Sequence, residues 1–291
     1  MVGFRELGCC VAMCSVVIAL SLAAAAFPAR AGAVSCDADM RGGGPSGWSL
    51  NGTFGSVEDA VLFTHGLDAV RDDAFDAARV AGVDSAIYMN PKPNGCRRVL
   101  NGHGVTFPPA RAGGIRVRPK LYFPAKRAFA RALILLRNPG PSPAEIEYAI
   151  DADPGSDDAT RIGTTSSGDR TVDAADAWAT TCEDQQNDGC AGTGGADADR
   201  DPELAHIWQR QGPRPESADD FELATGLDDY DVRWIHVQIA AGETIGFMDV
   251  EMMAPTIARA NRFARRAAVH PWRLGLFRGM SARERRELSN W

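Results

Sequence analysis

The run Ala132-Leu133-Ile134-Leu135-Leu136-Arg137 constrains this chain most. It is apolar at consecutive positions, so a strand built from it is buried on both faces, as in the centre of a sheet. Asn138-Pro139-Gly140-Pro141 follows and is a strong turn. Beyond it, Glu145-Ile146-Glu147-Tyr148-Ala149-Ile150 alternates charged and apolar residues, the pattern of a half-exposed strand. Similar runs recur at 60–64, 85–89, 115–118, 204–209, 232–239 and 244–252, with turn residues between them. Ala240-Ala241-Gly242-Glu243 joins the last two as a hairpin. Residues 72–80 read either as a helical turn or as another strand, and 91–104 read as loop. The expected fold is mainly β: a β-sandwich followed by two short C-terminal helices.

The tail carries the helices. Ile257, Ala260, Phe263, Ala264 and Ala267 recur at helical spacing, with Arg259, Arg262 and Arg266 largely opposite. Pro271 is expected to end that helix. Ser281-Ala282-Arg283-Glu284 is a capping box that opens a second. From Thr256 onward there are nine arginines and two glutamates, a net of +7, whereas residues 36–255 hold 20 basic and 35 acidic groups, a net of −15. A basic helical segment docked on its own acidic domain accounts for this. Binding of an anionic surface or partner is the alternative. Nucleic acid does not suit a net acidic, secreted chain.

Secretion is read from the start of the chain. Arg5 precedes an apolar run from Leu7 to Phe27, and Ala29-Arg30-Ala31 and Ala31-Gly32-Ala33 are both cleavage patterns. An uncleaved anchor is the alternative, since 7–27 is long enough to span a bilayer. No membrane span is expected after removal of this segment. The expected organisation is a signal peptide at 1–33, an irregular lead-in at 34–56, a β-sandwich at 57–254 and a basic helical tail at 255–291. Localisation is read as secreted, extracellular or at the cell surface. Arginine far outnumbers lysine, which with abundant Ala, Gly and Asp suggests a GC-rich bacterial genome.

Cys9, Cys10 and Cys14 leave with the signal, and Cys36, Cys96, Cys182 and Cys190 remain. Four cysteines in an oxidising compartment read as two disulfides. The favoured pairs are Cys36–Cys96, tying down the N-terminus, and Cys182–Cys190, closing a short polar loop. Zinc is disfavoured, because there is no CxxC pair and no His at ligand spacing.

The acidic loops are the candidate metal site. Asp197, Asp199 and Asp201 alternate along the chain, and Asp184 and Asp188 lie inside the Cys182–Cys190 loop. Such oxygens can fold around Ca²⁺, but they also serve as solvated turn residues, the plainer reading. Catalytic signatures are missing: neither Gly-x-Ser-x-Gly nor His-Glu-x-x-His occurs. Ser166, Ser167 and Asp169 remain available to a hydrolase. Trp48, Trp178, Trp208 and Trp234 read as core or as a sugar-binding face. His236 reads as a surface histidine sharing a strand face with Trp234 and Gln238, and His206 as lying at a strand edge.

Gly155-Ser156-Asp157, Thr160, Thr165-Ser166-Ser167-Gly168-Asp169 and Asp176-Ala177-Trp178 together resemble a recurrent module of secreted bacterial proteins. Arg131, the Asn138-Pro139 turn, the hairpin from Tyr230 to Val250 and the ending Gly279-Met280-Ser281…Glu284…Asn290-Trp291 resemble it too. The resemblance implies a β-sandwich at the cell surface and assigns no catalytic residue. The function expected is a secreted or cell-surface binding or structural module, with an extracellular or cell-envelope ligand. The alternative is a secreted hydrolase of polysaccharide or ester.

Overall fold

The protein is described from a computed structural model covering residues 33–37, 39–41, 46–64, 69–74, 80–83, 86–153, 160–183, 190, 201–213, 216–223 and 230–291. Among these residues the strands form three antiparallel sheets. The largest has ten strands. Its order is β1 (Ala33–Val34), β8 (Cys96–Val99), β9 (Gly104–Thr106), β11 (Ile115–Tyr122), β12 (Phe129–Arg137), β19 (Thr244–Ala254), β16 (Glu203–Ile207), β15 (Trp178–Glu183) and β14 (Thr160–Thr165), with β10 (Ala110–Ala112) paired to β11. The second sheet runs β17 (Asp220–Leu223), β18 (Tyr230–Ile239), β13 (Ala144–Ala152), β6 (Val80–Val83) and β7 (Ala86–Ile87). The third runs β2 (Met40–Arg41), β3 (Ser46–Asn51), β4 (Ser56–Thr64) and β5 (Ala69–Ala74).

The both-face apolar run becomes β12, in the middle of the large sheet. Alternate residues serve two cores. Ala130, Ile134 and Leu136 pack with buried residues of the two smaller sheets. Phe129, Leu133 and Leu135 pack with the C-terminal helices. β19 divides in the same way, Phe247 and Met253 to one side and Met248, Val250 and Ala254 to the other. The mainly β expectation therefore holds, with the large sheet sandwiched on one face and covered by helices on the other.

Helix α1 (Ile257–Val269) turns Ala260, Phe263, Ala264, Ala267 and Ala268 inward. Four alanines let its axis lie close to the sheet, and Phe263 meets Phe129 at 5.4 Å between ring centroids. Pro271 ends α1 as expected, but also begins α2 (Pro271–Leu274), where its fixed φ suits the first helical position. The tail thus has three helices, one more than expected. In α3 (Ala282–Arg286) Ser281 and Glu284 form the capping box.

The last residues complete the large sheet. β16 stops at Ile207, paired with Val250, which leaves the next outward-facing peptide of β19, at Met248, without a strand beside it. Asn290 fills the gap. Its Oδ1 accepts from Met248 N at 3.0 Å, and its Nδ2 donates to Met248 O at 2.9 Å and Trp208 O at 2.5 Å. Gly246, one step further, exchanges backbone bonds with Glu287 and Ser289.

Two expectations of secondary structure are corrected. Residues 34–56 are not an irregular lead-in: β2 and β3 lie there, and Met40, Trp48 and Leu50 join the core. Residues 91–104 are not all loop, since β8 pairs with β9. Of the two readings of residues 72–80 the strand is the one seen, at the end of β5 and the start of β6 where they are described. The proposed signal peptide lies outside the described residues, apart from Ala33.

Candidate functional site

Both expected disulfides are present. Cys36–Cys96 and Cys182–Cys190 have Cα separations of 5.3 and 5.7 Å. Of the five acids suggested for calcium, Asp184, Asp188, Asp197 and Asp199 lie outside the described residues. Asp201 is described, and its backbone N–H donates to Glu183 Oε2 at 3.0 Å. Among the described residues no group of three or more metal-type side chains converges.

The serine-rich loop that could have served a hydrolase is tied up by its own turn chemistry. Asp176 is buried, accepting from Ser166 Oγ at 2.7 Å and Ser167 N at 2.8 Å. Asp169 accepts from Thr171 N and Thr165 Oγ1, both at 3.0 Å, and these bonds hold its carboxyl below the usual range. Gly168 supplies φ +98°, which the tight turn requires.

The tryptophans offered as a sugar face are core: Trp48, Trp178, Trp208 and Trp234 are all buried. His206 is not at an edge. It lies on β16 between β15 and β19, with Thr181 Oγ1 2.9 Å from Nε2 and Glu251 Oε2 2.5 Å from Nδ1. Tyr230 donates to Glu251 Oε1 at 2.9 Å. Asp249 and Glu251 line a small cavity of about 30 Å³. That is room for about one water, against roughly 300–1,000 Å³ for a ligand pocket. This buried polar row braces the sandwich.

His236 is exposed as expected but does not share a face with Trp234. The register of β13 against β18 shifts at Ile146/Tyr148, and His236 takes φ +60°. The bulge sends Ile235 and His236 outward together while Trp234 and Val237 stay buried. Glu145 bonds His236 Nδ1 at 2.7 Å and also accepts from Gln238. The His236 bond lowers the Glu145 pKa, and the same bond raises that of His236.

A larger concavity lies elsewhere, on the helix-facing side of the large sheet. It is a groove of about 310 Å³ lined by Arg116, Arg118, Arg137, Arg283, Glu284 and Glu287, among others. Strand alternation puts Arg116, Arg118 and Lys120 on one face of β11, since Ile115, Val117, Pro119 and Leu121 point into the sandwich. Cross-strand register then aligns Arg111 with Arg116, and Arg116 with Arg137. Three exposed arginines thus stand side by side across β10, β11 and β12. Like charges directly opposite one another destabilise a sheet.

The groove's acids do not neutralise this row. Glu287 pairs with Arg283. Glu284 takes Lys120 Nζ at 2.7 Å and lies 3.8 Å from Arg118. Burial alone would raise the Glu284 pKa, but the Lys120 bond and the Ser281 cap outweigh it and hold the carboxyl low. Among the described residues no carboxylate pairs with Arg111, Arg116 or Arg137. Deeper on the same face, Arg131 is buried with its guanidinium 5.6 Å from the Tyr122 ring centroid. Burial lowers its pKa to about 10, which still leaves it a cation.

Sequence reasoning did not find this groove. The alternation of Arg116 and Arg118 was visible, but the row depends on the pairing of β10, β11 and β12.

No protein family matches the sequence, and no curated protein matches it. Solved structures do. A polysaccharide lyase is similar at 10% identity and a TM-score of 0.47, over 76% of this chain and 34% of that one. A TPR-domain containing protein from Parabacteroides distasonis follows at 10% identity and TM-score 0.41, over 72% and 45%. A xanthan lyase from Paenibacillus gives 8% and 0.38, over 81% and 26%. This chain spans about a third of the first structure's length. The likeness is distant.

Proposed function

We propose that the protein is an extracellular binding module that holds an anionic polysaccharide in the arginine groove. The observation that carries this reading is the row Arg111–Arg116–Arg137, three aligned like charges to which no carboxylate of the described residues is paired. Such a row costs stability unless an anion bridges it. Guanidinium forks suit carboxylate or sulfate groups, which they can take two oxygens at a time. An open groove running beside Arg118 and Arg283 suits a chain with repeated charges better than a single small anion. The two disulfides support an oxidising compartment. The resemblance to modules of secreted bacterial proteins belongs to the same reading.

The test is a titration with oligomeric polygalacturonate against dextran of the same length. Polygalacturonate should bind with an affinity that falls steeply with salt, and dextran should not bind. Equal binding of the two, or binding of neither, would refute the reading.

A further inference from the structure

We propose a second contact surface: the outer face of α1, with Trp272 beyond it, rests on an anionic lipid bilayer. At 3.6 residues per turn, Arg265, Val269, Arg262, Arg266 and Arg259 fall on one arc of about 120°. All five are exposed, while the opposite arc is packed on the sheet. The helix sequence contains no acidic residue. Among the described residues no carboxylate pairs with these four guanidinium groups.

Crowding them has a cost within the helix itself. Arg259 and Arg262 are three apart, and Arg262 meets Arg265 and Arg266 at three and four, spacings at which like charges repel. Arg259 also stands in the first turn, where the helix dipole disfavours a cation. A negatively charged surface offsets both terms.

Two features favour a bilayer over a soluble polyanion. The face is the convex side of a helix, which suits a flat surface better than a chain needing a groove. At its C-terminal end Val269 and Trp272 are exposed to 37% and 59%, next to Arg273. A polyanion in water offers these apolar side chains nothing, whereas the headgroup region accepts an indole and its flanking cations together. No helix of the described residues is long and apolar enough to cross a membrane, so contact through this face would be peripheral.

The experiment is sedimentation with vesicles of phosphatidylglycerol and phosphatidylcholine in equal parts, against phosphatidylcholine alone. The protein should bind only the anionic vesicles and be released by salt. Each arginine near the surface contributes about fivefold to the affinity. R259Q/R262Q/R266Q should therefore bind on the order of 100-fold more weakly. The other five tryptophans are at most 9% exposed, so Trp272 dominates quenching by acrylamide. That quenching should fall when anionic vesicles are added, and W272A should lose the response. Comparison among variants cancels any contribution from residues 1–33. Unchanged vesicle binding by the triple variant, or no binding by the parent protein, overturns the proposal. So does a triple variant that loses polygalacturonate while vesicles bind neither form. The groove variant R116Q/R137Q should bind vesicles like the parent, which separates this proposal from the previous one.

Discussion

Replacing Asn290 by alanine should destabilise the protein by about 3–4 kcal/mol, although the residue is next to last in the chain. Its amide makes three hydrogen bonds in a fully buried position. At roughly 1 kcal/mol net per bond these sum to about 3. The N–H of Met248 then becomes a buried donor without an acceptor, which adds about 1 kcal/mol or more. Met248 O fares better, because Trp291 Nε1 also donates to it. For a domain of this size the expected fall in Tm is about 6–15 °C. Asn290→Asp should be at least as damaging, since it keeps the acceptor but turns a carboxylate on two carbonyl oxygens. Urea unfolding followed by circular dichroism gives the free energy and the slope together. A change in N290A within about 0.5 kcal/mol, with the slope unchanged, would refute the idea that this side chain stands in for a missing strand.

Further outcomes follow from other sites. By loop-closure entropy, removing Cys36–Cys96, separated by 60 residues, should cost about 4 kcal/mol, and removing Cys182–Cys190, separated by 8, about 2.6; equal losses in denaturant titrations of Cys-to-Ala pairs would contradict this order. R116Q should slightly stabilise the protein, by about 0.2–1 kcal/mol, because it relieves a like-charge row; a loss of stability would show that the row has internal partners. His236 is raised and Glu145 lowered, so the His236 contribution to stability is full below its unfolded pKa and lost as pH rises through its folded one. The Glu145 contribution is lost as pH falls through its own depressed value, so the pair stabilises between these limits. E145Q should lower the His236 pKa measured by NMR, and an unmoved titration would rule the pairing out.

What the sequence disclosed was local. The run at 132–137 announced a doubly buried strand because both of its faces are apolar, and β12 is that strand. The tail helix was legible from the spacing of Ala260, Phe263, Ala264 and Ala267. The Asp176 turn was legible in kind, since Ser and Asp often bond nearby backbone. By contrast, Trp48 and Leu50 stand among Gly and Ser, so residues 34–56 read as irregular although the fold buries both. The bulge at His236 reverses which residues face inward, and no periodicity marks it. The arginine row is the clearest loss. Arg116 and Arg137 lie 21 positions apart, and only the hairpin register brings them together.

Binding of an anionic chain in the groove is decided by measuring polygalacturonate affinity for R116Q/R137Q and for R259Q/R262Q/R266Q side by side with the parent protein. Binding in the groove means a loss of tenfold or more in the groove variant, since bonds to charged groups are worth about 1.5–3 kcal/mol each before solvent screening, and a near-parental affinity in the helix variant. A groove variant that binds as tightly as the parent would contradict it.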